Sequence, residues 1–259
     1  MKDDESDPHV YSIIFQLLGA AVVMPFTAIN GFNLPPIADY PLNFLMMGVL
    51  YGSGTLFLFN ALKNIEASEV TIVSSIRPVV TIISAVTLLN EQFSPTKGLG
   101  TLLILSAVFL VSGKIGNFKF NKGFFYAIGM AVCYGLAITN DKFLIGKITD
   151  VLSYLVIGNL LPGIFLTAIN PKALLKVNQF LRLDRVVKMF LFTIIYATAA
   201  LLFYLAIKNG ALASQITPIH QATVIFTVAL AFIFLKERDQ IFKKVLASFL
   251  VIFGVILLT

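Results

Sequence analysis

The segment YGSGTLFLFNALKN at residues 51–64 returns as YATAALLFYLAIKN at residues 196–209. At an offset of 145, Tyr51, Leu56, Ala61, Lys63 and Asn64 meet Tyr196, Leu201, Ala206, Lys208 and Asn209. Small residues match in kind, Gly52-Ser53-Gly54 against Ala197-Thr198-Ala199. One extra residue near Gly210 moves the offset to 146, and Ser68, Thr81, Ala85 and Glu91 then meet Ser214, Thr227, Ala231 and Glu237. A weaker likeness joins FTAIN at 26–30 to LTAIN at 166–170. Apolar helices share residues by chance because few residue types are in use. Polar and small positions that match in the same order across two adjacent helices are much harder to obtain by chance, so the chain reads as an internal duplication.

The duplicated elements are membrane spans. Of 259 residues, 58% are apolar and 12% charged, and mean hydropathy is +0.91. A soluble domain averages about 45–50% apolar and 25% charged residues. Folded surface needs polar cover, so this composition excludes an ordinary soluble enzyme, a disordered chain and a disulfide-stapled secreted domain. The single cysteine, Cys133, has no intrachain partner. A net charge of +6 suits nucleic acid at first sight. The lysines and arginines instead end the apolar runs, where membrane helices carry them.

A helix needs about 20 apolar residues to cross a bilayer. Nine runs qualify, at 10–30, 41–62, 69–89, 97–114, 122–144, 151–170, 188–207, 212–235 and 243–259. Pro35-Pro36, Ser94-Pro95, Asn170-Pro171 and Asn209-Gly210 punctuate the joints. The connection at 171–187 mixes basic and apolar residues and reads either as an interfacial amphipathic segment or as a solvated loop. The acidic start has no basic flank before an apolar stretch, so it is not a signal peptide.

The expected fold is an all-α polytopic membrane protein of nine helices, with the first repeat in 1–121 and the second in 122–259. The repeat unit is five helices, and an odd number turns the two copies upside down relative to one another. Inverted repeats mark secondary transporters, with the substrate site near the midplane. The run at 122–144 opens the second copy and has no mate in the first. Either the first helix of a ten-helix protein is missing upstream, or this is a nine-helix variant.

The residues then resemble a known family. Ala67-Ser68, Pro78, Asn90-Glu91 and Gly98/Gly100 make the pattern of the EamA-type permeases of the drug/metabolite transporter superfamily. Ala213-Ser214, Lys236-Glu237-Arg238 and Gly254 repeat it, with the proline displaced to Pro218. The resemblance covers nearly the whole chain. It implies ten helices in two inverted halves, export or exchange of small metabolites, and residence in the cytoplasmic membrane of a prokaryote. It does not name a substrate.

Several residues are candidates for the chemistry. At 100° per residue, Ser74, Arg77, Thr81 and Ser84 share a face of the third run. Thr217, His220, Gln221 and Thr227 share a face of the eighth, and the offset of 146 aligns Ser74 with His220 and Thr81 with Thr227. The two stripes read as substrate-binding; alternatively their hydroxyls satisfy backbone carbonyls or tie helices together. Arg77 stands about eight residues into its run, beside the kink expected at Pro78. It is read as an anchor for a carboxylate or phosphate, as half of a structural pair, or as a snorkelling side chain. His220 is either a proton-coupling group or a structural histidine. Asn140-Asp141-Lys142 closes the fifth run as a helix-end polar cluster, with Asn140 also a candidate for substrate contact. Asp141 is otherwise the carboxylate placed to carry a proton or to pair with Arg77. Tyr51 and Tyr196, related by the repeat, either line the cavity or pack as aromatics.

No catalytic constellation is visible. His9 and His220 lie in different environments, and there is no phosphate-binding glycine loop or nucleophile elbow. The chain is therefore not expected to be an enzyme or to need a cofactor or metal. The expected partners are the lipid bilayer and a small-molecule substrate, anionic if Arg77 binds it. Proton coupling and a homodimer are further options, and nucleic acid is not expected. Loops on the Met1 side carry 14 of the 19 lysines and arginines, and the opposite loops 4. Positive-inside counting puts Met1 inside, whereas the family topology puts it outside. The leading function is a secondary transporter working by alternating access; the alternatives are a passive channel or an inactive fragment of a ten-helix transporter.

Overall fold

The computed structural model describes residues 7–89, 94–112, 121–180, 182–209, 223–236 and 241–258. Every regular element among them is helical. In chain order these are α1 (Pro8–Asn30), α2 (Pro41–Asn64), α3 (Ala67–Ser74), α4 (Arg77–Leu89), α5 (Pro95–Ser112), α6 (Lys122–Ile145) and α7 (Val151–Ile169). A 3-10 helix (Pro171–Lys176), α8 (Val177–Phe180), α9 (Leu183–Lys208), α10 (Thr223–Phe234) and α11 (Ile241–Leu258) follow.

Among the described residues six segments are long and apolar enough to span a bilayer: α1, α2, α3 with α4, α6, α7 and α9. The described parts of the runs at 97–114, 212–235 and 243–259 are helical, as α5, α10 and α11. The connection at 171–187 starts as a helix, with Ala173 buried and Leu175 81% exposed. That favours the amphipathic segment over the loop.

Local chemistry sets the helix ends. Asp7 caps α1 by accepting from the His9 backbone N–H at 3.0 Å, with Pro8 in the first turn. Gly31 ends α1 at φ 85°, a conformation costly for residues with a Cβ. Asp150 caps α7 through the N–H groups of Leu152 (3.3 Å) and Ser153 (2.7 Å). Pro78 has no N–H to give the Ser74 carbonyl, and here the helix breaks, whereas α1 and α7 run on through Pro25 and Pro162. Ser75 and Ile76 instead bond to carbonyls three residues back, Ile72 and Val73, each at 3.1 Å, and α4 starts at Arg77. The expected kink is present as a break between α3 and α4.

The described chain falls into two compact units. The first comprises residues 7–59, 140–180 and 182–209; the second, 60–89, 94–112, 121–139, 223–236 and 241–258. Each draws on both halves of the sequence. In the first unit α1 packs along α7, over a core that includes Phe44, Met47, Leu144, Tyr154 and Val156. A bond from Gln16 Nε2 to Thr55 Oγ1 (2.6 Å) ties α1 to α2. In the second unit α5 packs along α11 and α3 against α10, around Ile72, Ile104, Ala107, Val228, Ala247 and Val251. Gly254 lets α5 and α11 approach closely: a Cβ there would lie 2.8 Å from the Gly100 carbonyl oxygen.

Candidate functional site

In the first unit, the last turn of α6 faces two ways. Asn140 and Asp141 are buried, while Lys142 and Phe143 are exposed. Asp141 is 2% exposed, four residues inside the end of α6, or about 6 Å along the axis. Its Oδ1 accepts a hydrogen bond from the Tyr154 hydroxyl at 2.6 Å. Its Oδ2 accepts from the hydroxyls of both Tyr51 and Tyr204, whose oxygens are 3.1 Å apart. One carboxylate is thus held by tyrosines from α2, α7 and α9. Asn43, Met47 and Tyr51 recur every four residues, so one face of α2 serves the site. Asn140 fixes the same junction: its Oδ1 accepts from Asn43 Nδ2 (2.7 Å), and its Nδ2 donates to the Asn43 carbonyl (3.0 Å). The rings of Tyr154 and Tyr204 meet edge to face, with centroids 5.7 Å apart and planes at 89°.

Magnitudes show what the hydroxyls accomplish. An aspartate at the centre of a span costs about 2.5–3.5 kcal/mol on insertion scales. A hydrogen bond to a charged group contributes about 1.5–3 kcal/mol. Three such bonds offset the burial, and two leave a narrower margin. Among the described residues no lysine or arginine pairs with Asp141. Its partners are the hydroxyls of Tyr51, Tyr154 and Tyr204. The inward turn of Asp141, with Lys142 outside, corrects the picture of a simple helix-end charge cluster.

The other candidates are placed as follows. Tyr196, the repeat mate of Tyr51, sets its ring edge against Phe15 at 5.0 Å and is 40% exposed. In the second unit the polar stripe of α3 and α4 is turned largely to backbone. Ser74 Oγ donates to the Thr71 carbonyl (2.7 Å). Thr81 Oγ1 is shared between the carbonyls of Arg77 (3.0 Å) and Gly135 (3.1 Å). Ser84 and Thr139 hydroxyls bond at 2.6 Å. The stripe therefore ties α4 to α6, where a Cβ at Gly135 would be 2.9 Å from the Arg77 carbonyl oxygen. Arg77 opens α4, half-buried beside the break. Thr217, His220 and Gln221 lie outside the described residues. No group of three or more metal-ligating side chains occurs among the described residues.

Sequence reasoning missed Tyr154 and Tyr204. The available signal was periodic: Tyr204 lies eight residues after Tyr196, hence on nearly the same face of α9. Tyr154 stands 13 residues beyond Asp141 across a tight connection, and nothing in spacing alone points it back at the carboxylate.

The model of the EamA-like transporter family matches residues 6–113 and 121–259. No curated protein matches the chain. A solved structure described as "Crystal structure of protein" is similar, with a TM-score of 0.64 and 16% identity. The match covers 98% of this chain and 88% of that one, and at that identity the likeness is one of fold.

Proposed function

The chain belongs to the EamA-like transporter family of integral membrane proteins, and from that premise we propose that it is a secondary transporter. It exports or exchanges a small polar or amphipathic metabolite by alternating access, along a path to which both repeats contribute. One observation carries this reading: helices related by the sequence repeat are packing partners. The runs paired by the likeness of FTAIN to LTAIN are α1 and α7, which lie against each other in the first unit. The matching fourth and ninth runs are α5 and α11, which do the same in the second unit, as do α3 and α10. Packing of these three pairs of repeat mates supports a pseudo-two-fold relation between inverted copies, the architecture on which alternating access operates.

Arg77 is the proposed anchor for an anionic group of the substrate. Guanidinium forks match carboxylate and phosphate, and the first turn of a helix adds positive potential. The test is transport of a metabolite panel into proteoliposomes, with and without a pH gradient. Wild type should transport at least one class. Arg77→Ala should lose about 10- to 100-fold in transport of it, the equivalent of about 1.5–3 kcal/mol for a charge-assisted bond, while inserting normally. Unchanged transport by the variant would remove Arg77 from the path.

A further inference from the structure

We propose that Asp141 and the hydroxyls of Tyr51, Tyr154 and Tyr204 form a proton-binding site, at which the carboxylate takes up and releases one proton. The link to transport rests on the transporter reading above; the site itself does not.

The geometry supplies both protonation states. In the ionised state all three hydroxyls donate to the carboxylate. On protonation, a proton from the aqueous phase forms an O–H bond at Oδ2, which then donates to the Tyr204 oxygen. Tyr204 can no longer donate to Oδ2, and its proton swings to the Tyr51 oxygen, 3.1 Å away. The Tyr51 hydroxyl still donates to the remaining lone pair of Oδ2. The ring closes as Asp141 to Tyr204 to Tyr51 to Asp141, with the charge neutralised. One hydroxyl hydrogen, that of Tyr204, rotates and no heavy atom moves. Tyr154 keeps its bond to Oδ1 in both states.

The burial points to a proton over a larger cation. Asp141 is closed off, Tyr154 is 1% exposed, and both carboxylate oxygens already have partners. An ammonium or metal ion would have to displace a hydroxyl. The groups facing the carboxylate are Tyr51 from α2, Tyr154 from α7 and Tyr204 from α9. In the surrounding core cluster α1 contributes Ala20 and Val23, which do not titrate. In the first unit Lys142 is turned outward, and Lys208 bonds to the Thr149 carbonyl next to the Asp150 cap.

The experiment uses the full chain in lipid nanodiscs and dicyclohexylcarbodiimide as the probe. This reagent adds across a protonated, apolar carboxyl to leave a stable acylurea, and the adduct at Asp141 is read by peptide mass spectrometry. Wild type should label at acid pH and lose labelling as pH rises, along a one-proton curve. Tyr154→Phe and Tyr204→Phe keep the ring and remove a donor to the charged form. Each should carry labelling to more alkaline pH by about one unit, the difference between a hydrogen bond to the charged carboxylate and one to the neutral carboxyl. A structural role alone would leave the profile unmoved. Labelling that ignores pH, or identical profiles in the phenylalanine variants, overturns the proposal. So does protection by sodium against choline at constant pH, which would make this a sodium site. Titrating labels without any transport in liposomes would leave the proton site standing and sink the transporter reading; transport without titration would do the reverse.

Discussion

Replacing Gly254 with alanine tests the close packing of α5 on α11. A Cβ at position 254 would lie 2.7 Å from Ile104 Cγ1, 2.8 Å from the Gly100 carbonyl oxygen and 3.2 Å from the Ile104 nitrogen. Two of these are backbone atoms and cannot rotate aside. Ordinary contact begins near 3.4 Å, so the helices must separate by about 0.6 Å. Separation loosens Ile104, Ala107, Ala247, Val251 and Val255, all fully buried. Overpacking of this kind costs about 1–3 kcal/mol, and alanine returns up to about 1 kcal/mol as a better helix former. Gly158→Ala is the control, because its Cβ would meet only Met47 Sδ, at 3.8 Å, and it keeps the propensity gain alone. Reversible unfolding in mixed detergent micelles by titration with dodecyl sulfate should place Gly254→Ala below Gly158→Ala by about 1–3 kcal/mol. Equal stability, or the reverse order, would refute the claim that the backbones touch at this glycine.

Two further outcomes follow from named contacts. Lys244 is 2% exposed and ion-paired with Glu66, the residue preceding α3. Glu66→Gln strands a buried ammonium and should cost about 3 kcal/mol, whereas Glu66→Leu with Lys244→Met should recover most of it; a double-mutant cycle on the same unfolding assay measures the coupling. Asp150 caps α7, and Asp150→Ala should cost about 0.5–2 kcal/mol. Burial opposes its ionisation, but the bonds from Ser153 and Leu152 and the nearby Lys208 outweigh it and hold the carboxyl below its ordinary value. A depressed folded-state value means that the contribution is full above the ordinary carboxylate range and is lost as pH falls through the folded value. The stability gap between wild type and Asp150→Ala should therefore close under acid conditions; a gap that widens there would contradict the assignment.

Six of the nine expected spans recur among the described residues as helices long and apolar enough to cross a bilayer, legible because a bilayer imposes length and apolarity on each helix. The break at Pro78 was legible because a missing N–H is a local property. Direction was not. Asp141 and Lys142 are adjacent, and charge alone does not say that one turns inward and the other out. That choice is made by Tyr51, Tyr154 and Tyr204, brought from three other helices by packing. Lys244 misleads for the same reason. Standing near the start of its run, it counts as a loop-side positive charge, yet the fold buries it against Glu66, 178 positions away. The hydroxyl stripe of α3 and α4 shows the converse limit. Spacing groups the hydroxyls, but Ser74 and Thr81 use theirs on carbonyls, which spacing does not reveal.

The measurement closest to the central claim is counterflow. Proteoliposomes are loaded with the unlabelled substrate found by the panel and diluted into a trace of the labelled form. A carrier that alternates access exchanges one for the other, so label should accumulate transiently above its outside concentration and then decay. Monotonic equilibration without an overshoot would identify a passive pore and contradict the account.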